Sequence, residues 1–366
     1  YKTEIKNKKY IKMAPQIRKF GAALMATLFA GLVLTSCDSQ IFDYEGDCSA
    51  THHLKFKYDM NMKFADAFYN EVTEVRLFVY DAATGKLLRT YTEKGEALRD
   101  PEFAIDLFAL PAGTYEMVAW CGDGLTNEKF ELNHSADDST PVEGLTCTML
   151  RENTDEHPAC VVDDLNRLYH GRQTFTLTDE PGSYTHVMPL VKNTNVVRII
   201  LQHLDAGDVD PSEFDITITD DNGKMAYDNS MLSDQMITYH PWSVQAVAAG
   251  VDSDVDSEYI STQLDTRTTT QVDACLAELT VCRLMADKNP ILTVKNAKTG
   301  ELVLSIPVKD YALMVKGNYN RAMSDQEYLD RQDEYNMTFF LSHGRWVAST
   351  VIINSWHVVL QNDSLE

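Results

Sequence analysis

The chain has 366 residues, of which 44% are apolar and 24% charged, so it can bury the cores of two ordinary domains. Its 55 acidic residues outnumber 32 basic ones, giving a net charge of −23. This charge argues against nucleic acid as a partner, because phosphate binding needs a basic surface. The charge is also uneven: residues 1–36 carry a net charge of +6, which leaves −29 on the rest.

The first 36 residues have the organisation of a bacterial export signal. Two basic residues at positions 18 and 19 precede an apolar run over 21–34, which is short for a membrane-spanning helix. The run ends in Leu34-Thr35-Ser36-Cys37, which closely matches the lipobox of bacterial lipoproteins. This motif predicts cleavage between Ser36 and Cys37 and a lipid on the Cys37 thiol. In an ordinary secretory signal, Cys37 would be incidental.

Residues 37–50 are expected to form a lipidated tether. The acids at positions 38, 43, 45 and 47 resemble the surface-export signal of Bacteroidota lipoproteins, although acids also occur in a merely solvated tether. No later segment reaches about 18 uncharged apolar residues, so the acyl chains would be the membrane attachment.

From residue 54 onward, alternating apolar residues between turn formers predict an all-β protein. The strands expected in chain order are 74–80, 87–92, 114–120, 215–219, 224–228, 292–296, 301–308, 335–341 and a closing strand over 351–361. Turns at Asp81–Lys86, Asp221–Gly223 and Ala297–Gly300 give both halves of the chain a recurring strand–turn–strand pattern. One helix is expected after Ser324, where Glu327 completes a capping box.

Thr178–Ser183 is the clearest internal cluster of turn-forming residues. It predicts two tandem β-sandwich domains, over residues 51–181 and 182–366. Asp252–Glu258 is the most polar stretch and is expected to be a long loop. It resembles a calcium loop slightly, but it lacks the glycine at the sixth place and the acid at the twelfth.

No motif for catalysis, a cofactor or a metal is present. The sequence has no Gly-x-Gly-x-x-Gly, phosphate-binding loop, Gly-x-Ser-x-Gly or His-Glu-x-x-His. His170-Gly171-Arg172 and His343-Gly344-Arg345 could be imagined as catalytic or anion-binding groups. Each is better interpreted as a strand end at which glycine allows a turn. The sequence therefore predicts that the protein is not an enzyme and holds no cofactor.

Six cysteines remain once Cys37 is lipidated, an even number that permits disulfides in an exported chain but leaves 15 pairings open. They are Cys48, Cys121, Cys147, Cys160, Cys275 and Cys282. The four tryptophans, which lie in apolar β-prone context, are candidates for the core first and for a glycan platform second: Trp120, Trp242, Trp346 and Trp356.

Taken in order, these segments resemble the FimB/Mfa-type minor fimbrial subunits of Bacteroidales. The likeness covers essentially the whole mature chain and begins with the spaced cysteines Cys37 and Cys48. It continues through LKFKYDMNMKFADAF, VRLFVYDAATGKLL, LPAGTYEMVAWCG, LYHGR, PLVKNTNVVRIIL, ITDDNGKMAYDNS and QEYLDRQDEYNMTFFL, and through the tryptophan-bearing last strand.

The resemblance implies two transthyretin-like Greek-key domains on a chain lipid-anchored in the outer membrane. Such proteins attach a fimbria at its base and limit its length, so the implied partners are major or accessory fimbrial subunits. In the major subunits, a trypsin-like protease removes the first strand. That cut opens a groove which a strand of the neighbouring subunit fills, through backbone pairing at an open sheet edge.

The residues after the lipobox bear on this processing. No arginine lies between Cys37 and Arg76, and Arg76 itself falls in a predicted strand. An arginine-specific protease would then find no exposed site, which suits a subunit that stays anchored. Lysines 55, 57 and 63 leave lysine cleavage open, and the absence of arginine could also be chance in an arginine-poor stretch.

The last apolar segment is the candidate for contact with the polymer. Its candidate contact residues are Val351, Ile353, Trp356, Val358 and Leu360. The alternative is that this segment is simply the closing strand of the second sandwich. Two other functions remain open for the whole chain: a glycan-binding surface lipoprotein, and a tip or accessory fimbrial subunit.

Overall fold

The computed structural model describes residues 49–361 except 124, 126–127, 134–140, 155–157, 204–206, 252–269, 318–319, 343–344 and 354–355. The described residues fold mainly into β-strands, with three short α-helices and three turns of 3-10 helix. Within this part of the chain, no helix is long and apolar enough to cross a membrane.

The elements follow one another in an order that is almost purely β. The strands are β1 Ala50–Lys57, β2 Glu74–Asp81, β3 Leu87–Lys94, β4 Ile105–Asp106, β5 Gly113–Gly122, β6 Phe130–Asn133, β7 Thr146–Met149, β8 Cys160–Val161, β9 Leu168–Leu177, β10 Gly182–Pro189, β11 Val191–Lys192, β12 Thr194–His203, β13 Phe214–Asp220, β14 Lys224–Ala226, β15 Ile237–Tyr239, β16 Ser243–Val251, β17 Thr270–Cys282, β18 Ile291–Asn296, β19 Leu302–Pro307, β20 Glu334–Ser342, β21 Arg345–Ile353 and β22 Trp356–Gln361. The helices are α1 Phe68–Glu71, α2 Val308–Met314 and α3 Asp325–Arg331.

The strands form five sheets. Two belong to the first half of the chain, with the strand orders β10-β1-β4 and β11-β9-β5-β2-β3. The second half contributes a six-stranded sheet, β16-β17-β12-β20-β21-β22, and most of a five-stranded sheet, β19-β18-β13-β15-β8. The fifth sheet, β14-β7-β6, combines strands from both halves. The expectation of an all-β protein built from sandwiches is confirmed.

Strand β2 is buried on both faces, which explains its nearly continuous apolar run. Val75, Leu77 and Val79 pack with side chains of β1 and β10 in one hydrophobic core. Phe78 and Tyr80 point the other way, into the larger core that contains the second half of the chain. The five-stranded sheet of the first half is therefore a middle layer that faces a core on each side.

The expected domain boundary between residues 181 and 182 divides strands that pair with each other. All eight residues of β10 pair with β1, from Gly182 opposite Ala50 to Pro189 opposite Lys57. Residues 182–189 therefore lie with the first group of sheets, whereas the sequence assigned them to the second domain. The turn cluster before β10 connects β9 to β10.

Local signals predicted several elements correctly. The hairpins β2–β3 and β18–β19 form as expected, and Gly85 supplies the positive φ of +67° that the first turn needs. Helix α3 begins after Ser324, whose hydroxyl oxygen accepts a hydrogen bond from the Glu327 amide at 3.0 Å. The helix ends at Arg331, and the backbone of Gln332 after it is already extended, with φ −90° and ψ 121°.

The strand expected after the Asp221–Gly223 turn is present as β14, and it pairs with β7 in a different sheet from β13. One expectation about strands was wrong. The segment 351–361 is two strands rather than one, because β21 and β22 pair antiparallel as a hairpin. The sequence was interpreted as one strand although the polar pair Asn354-Ser355 interrupts its apolar residues.

Candidate attachment and assembly sites

The predicted lipidation residue Cys37 and the cleavage position after Ser36 lie outside the described residues. Both therefore stay predictions. Strand β1 begins at Ala50, thirteen residues after Cys37. Any lipid on that cysteine would thus be joined through a short tether to the first strand of the fold.

Strand β1 lies in the middle of its sheet. It pairs in parallel with β10 over eight residues and with β4 at two, where His53 and Leu54 lie opposite Asp106 and Ile105. Leu54 has no exposed area and Phe56 has 5%. The strand nearest the predicted lipid is therefore held by backbone pairing on both sides and by a buried apolar face.

The first arginine after the lipobox lies in a strand that is paired on both sides. Arg76 belongs to β2, where its backbone lies opposite Thr92 of β3 and Trp120 of β5. A protease needs to bind an accessible extended segment, and this one is already engaged within the sheet. Lys63, in contrast, lies exposed in the turn that follows β1.

The turn after β1 is fastened to the distant segment between α3 and β20. The Tyr58 hydroxyl donates to Asp333 Oδ1 at 2.7 Å, and Arg331 Nη1 donates to the Asp59 and Asn61 carbonyl oxygens at 3.1 and 3.4 Å. These contacts join residues more than 265 positions apart in sequence. They tie the end of the first strand to the start of β20.

A charged cluster lies beside this junction. Lys192 Nζ is 3.6 Å from Glu71 Oε2 and 3.4 Å from Asp333 Oδ1, and the Tyr169 hydroxyl donates to Glu71 at 2.5 Å. Burial, reinforced by the neighbouring carboxylates, raises the pKa of Tyr58 and of Tyr169 far above the usual tyrosine range. Both hydroxyls therefore stay protonated and donate their hydrogen bonds at any physiological pH.

This cluster borders a polar cavity of about 690 Å³ whose wall also includes Asn61, Tyr69, Arg167 and Arg331. Lys192, Glu71 and Asp333 in its wall are paired with one another. The cavity is therefore a well-satisfied polar junction between the two halves of the described chain.

The expected polymer-contact residues lie on the β21–β22 hairpin. Backbone pairing sets Val351 opposite Val358 and Ile353 opposite Trp356, while Leu360 lies opposite Ser349. Strand β22 is the terminal strand of the six-stranded sheet, and among the described strands it pairs with β21 alone. The structure thus places Trp356, Val358 and Leu360 on the edge strand β22, and Val351 and Ile353 on β21, which is paired on both sides.

The segment His170-Gly171-Arg172 was wrongly interpreted as a strand end, because it lies inside β9. A Cβ on Gly171 would lie 2.8 Å from atoms of Met188, Pro189 and Leu190, so glycine permits this close packing. His170 is buried, and its Nε2 lies 2.8 Å from the Tyr227 carbonyl oxygen. Burial lowers its pKa to about 4, so it is a neutral core residue rather than an acid–base group. The second such segment includes residues 343–344, which fall outside the described residues.

The described cysteines are free thiols. Cys121, Cys147, Cys160, Cys275 and Cys282 are all buried and unbridged, and burial raises the pKa of each. Cys48 lies outside the described part of the chain. Over residues that the structure describes, no cluster of three or more potential metal ligands occurs. The acidic segment 252–258 lies outside the described residues.

The tryptophans divide between core and surface. Trp120 is fully buried and packs edge-on against His170 at 4.6 Å between ring centroids. Trp242 is 39% exposed at the start of the edge strand β16. Nothing is described for the side chains of Trp346 and Trp356.

One buried ion pair was not predicted from the sequence. Arg283 and Asp330 form a bidentate ion pair with both N–O distances at 2.7 Å, and Arg283 also donates to the Asn229 carbonyl oxygen. Nearby, the run Lys192–Asn195 is at most 9% exposed at each position. The four polar residues inside the apolar stretch PLVKNTNVVRIIL were the sequence signal for this buried polar region. They lie at the junction of the two halves.

The described residues form an all-β sandwich protein. Its first strand is bound within a sheet, and a strand hairpin lies at its C-terminal edge. The comparisons identify the family. The family model of fimbrillin-A associated anchor proteins Mfa1 and Mfa2 matches residues 44–362, and the chain belongs to that family.

Solved structures agree with this assignment. A candidate adhesin from Bacteroides thetaiotaomicron is 31% identical with a TM-score of 0.71, and the match covers 84% of this chain and 97% of that one. A candidate polysaccharide-binding protein from the same species is 26% identical with a TM-score of 0.70, covering 87% and 100%. The fimbrial anchor protein Mfa2 from Porphyromonas gingivalis shares the fold at 13% identity and a TM-score of 0.58, covering 86% and 99%. No curated protein matches the sequence.

Membership of this family assigns the chain a fimbria-associated role at the cell surface. Proteins of the family associate with other fimbrial subunits, and the family is structural rather than enzymatic. The predictions of family, of fold class and of a non-enzymatic protein are confirmed.

Proposed function

We propose that the chain is an outer-membrane lipoprotein, held by a lipid on Cys37, that anchors a fimbria at the cell surface and limits its length. The observation that best supports this is the position of β1. The strand follows the lipobox cysteine after a short tether and is paired on both sides. The first arginine after it, Arg76, lies inside another paired strand. A subunit that keeps its first strand keeps its covalent link to the lipid.

The polymer contact is proposed at the opposite end of the chain, at the β21–β22 hairpin. If the lipid holds the N-terminal strand, the polymer is left with the C-terminal half. The outer edge of β22 offers unpaired backbone groups to an extended segment of a neighbouring subunit, because among the described strands β22 pairs with β21 alone. Residues Val351, Ile353, Trp356, Val358 and Leu360 belong to this hairpin.

Two sandwich domains are proposed, with their division after β11 rather than at 181/182. The β1–β10 pairing favours this placement, and the buried polar run Lys192–Asn195 lies where the chain passes from one group of sheets to the next. Cleavage in the exposed turn at 178–183 that leaves the two fragments bound to each other would support the revised division, because β10 stays paired with β1. A cut at 178–183 that separates two stable fragments would contradict it.

The attachment is tested by Cys37→Ser, with Cys48→Ser as the matched control. Cys37→Ser should abolish labelling by a fatty-acid analogue and release the protein from the membrane fraction, while Cys48→Ser should leave both unchanged. Cells with Cys37→Ser should shed fimbriae, and any that remain attached should be abnormally long. A labelled, membrane-bound Cys37→Ser protein would refute the lipid site.

The assembly role is tested by deleting Ile352–Gln361. We expect the shortened protein to remain lipidated but to lose its fimbriae. Loss of all protein to degradation would show that the hairpin serves only to close the sandwich.

A glycan-binding lipoprotein is the second candidate, favoured by the similar structure described as polysaccharide-binding. Among the residues whose exposure the structure describes, the exposed aromatic side chains come from three separate segments: Phe64, Phe108 and Trp242. Binding to a glycan array by protein that carries no fimbrial subunit would favour this second function.

A further inference from the structure

The direction of the β1–β10 pair has a mechanical consequence. The two strands are parallel, so their N-terminal ends, Ala50 and Gly182, lie side by side. The chain reaches the proposed lipid from the N-terminal end of β1. It reaches the second half of the molecule from the C-terminal end of β10, through β11 and β12.

Tension between the tether and the C-terminal half therefore pulls β1 and β10 along their axes in opposite directions. In this geometry the evenly spaced hydrogen bonds of the parallel ladder are strained together. If both strands were pulled from the same end, the bonds would break one after another. A ladder of eight residue pairs resists the first kind of pull far better than the second.

The same arrangement recurs one step further along the chain. Strand β12 pairs in parallel with β20 over eight residues, from Val196 opposite Glu334 to His203 opposite Leu341. Tension enters β12 at its N-terminal end and leaves β20 at its C-terminal end, toward the β21–β22 hairpin. This second pair is also strained along its axis.

Side chains fasten the far end of β1. The Tyr58 hydroxyl is bonded to Asp333, one residue before β20, and Arg331 holds two carbonyl oxygens of the turn that follows β1. Leu54 and Phe56 hold the strand itself in the core. Sliding β1 toward the tether must break these contacts together with the ladder.

We propose that the β1–β10 pair is a mechanical clamp that keeps the tethered strand in the fold when the fimbria is pulled. The role rests on the proposed anchoring function, but the mechanical property belongs to the fold and can be measured without membrane or fimbria.

The test is single-molecule force spectroscopy on the full chain with Cys37→Ser, Cys48→Ser and Glu180→Cys. One handle is fixed at the N-terminus, and the second is attached either at the C-terminus or at position 180. Glu180 is exposed in the turn just before β10, and the five described native cysteines are buried. Pulling through position 180 peels β1 away from one end, whereas pulling through the C-terminus strains the whole ladder in the same protein.

Detachment of β1 and the turn up to α1 frees residues 50–67, a length step of about 60 Å. We expect β1 to remain bound, when pulled through the C-terminus, at forces several-fold above those that peel it through position 180. Detachment at similar forces in the two directions would overturn the proposal. That result would leave the anchoring function untouched, whereas a lipid-free, fimbriated Cys37→Ser strain would refute the anchor and leave the clamp standing.

Discussion

Replacing Leu54 by alanine tests whether the tethered strand belongs to the core. Leu54 lies in β1, has no exposed area and packs among the side chains of the first core. The substitution removes three carbon atoms, which forfeits roughly 2.4 kcal/mol of transfer free energy at about 0.8 kcal/mol per CH₂. The cavity left behind brings the expected loss of unfolding free energy to about 2–5 kcal/mol.

The assay is urea unfolding of the purified chain followed by circular dichroism. The adjacent Lys55→Ala is the matched control, because Lys55 sits on the solvent side of the same strand and pairs with the largely exposed Glu102 at 2.6 Å. Exposed ion pairs of this kind contribute about 0–1 kcal/mol. If Leu54→Ala destabilised the chain no more than Lys55→Ala, β1 would not be part of the cooperative fold, and the anchoring argument would lose its support.

Three further changes test the interior. Gly171→Ala should cost about 1–3 kcal/mol in stability, measured by thermal unfolding, because its Cβ would press against β10 and Leu190. Asp330→Ala should cost about 3–5 kcal/mol by leaving Arg283 buried and unpaired, and the double variant Arg283→Met with Asp330→Leu should recover much of that loss. The His170 pKa is lowered from 6.5 to about 4 by burial, so the unfolded chain binds more protons below pH 6.5. Stability should therefore fall by up to about 1.4 kcal/mol per pH unit between pH 6.5 and about 4 from this residue, and a pH-dependent denaturation series should show a shallower slope for His170→Gln.

Elements with local signals could be predicted from the sequence. The Ser324 cap and its Glu327 partner start α3 through contacts within one helical turn. The turns at Asp81–Lys86 and Ala297–Gly300 bring neighbouring strands together, and the hairpins they close follow directly. In each case the information lies within a few residues.

Pairing between distant strands could not be predicted in the same way. Strand β10 pairs with β1 from more than 120 residues away, and its alternating pattern fits either group of sheets. Strand β14 follows β13 after an Asn-Gly turn, yet it pairs with the distant strand β7. Packing across layers decides such pairings.

The sequence predicted the candidate polymer-contact segment only in part. The apolar, β-prone character of 351–361 was evident, but its fold into a hairpin at a sheet edge depends on pairing with β20. The Tyr58–Asp333 and Lys192–Asp333 contacts join residues that are far apart in the sequence. The sequence marked the junction only through the polar run within PLVKNTNVVRIIL.

Immunogold labelling of the protein on fimbriated cells tests the anchoring proposal most directly. A subunit held by lipid through Cys37 and joined to the polymer through its C-terminal half should be labelled where each fimbria meets the outer membrane. The label should disappear from that position in cells carrying Cys37→Ser. Gold particles along the shaft or at the free tip would contradict the account.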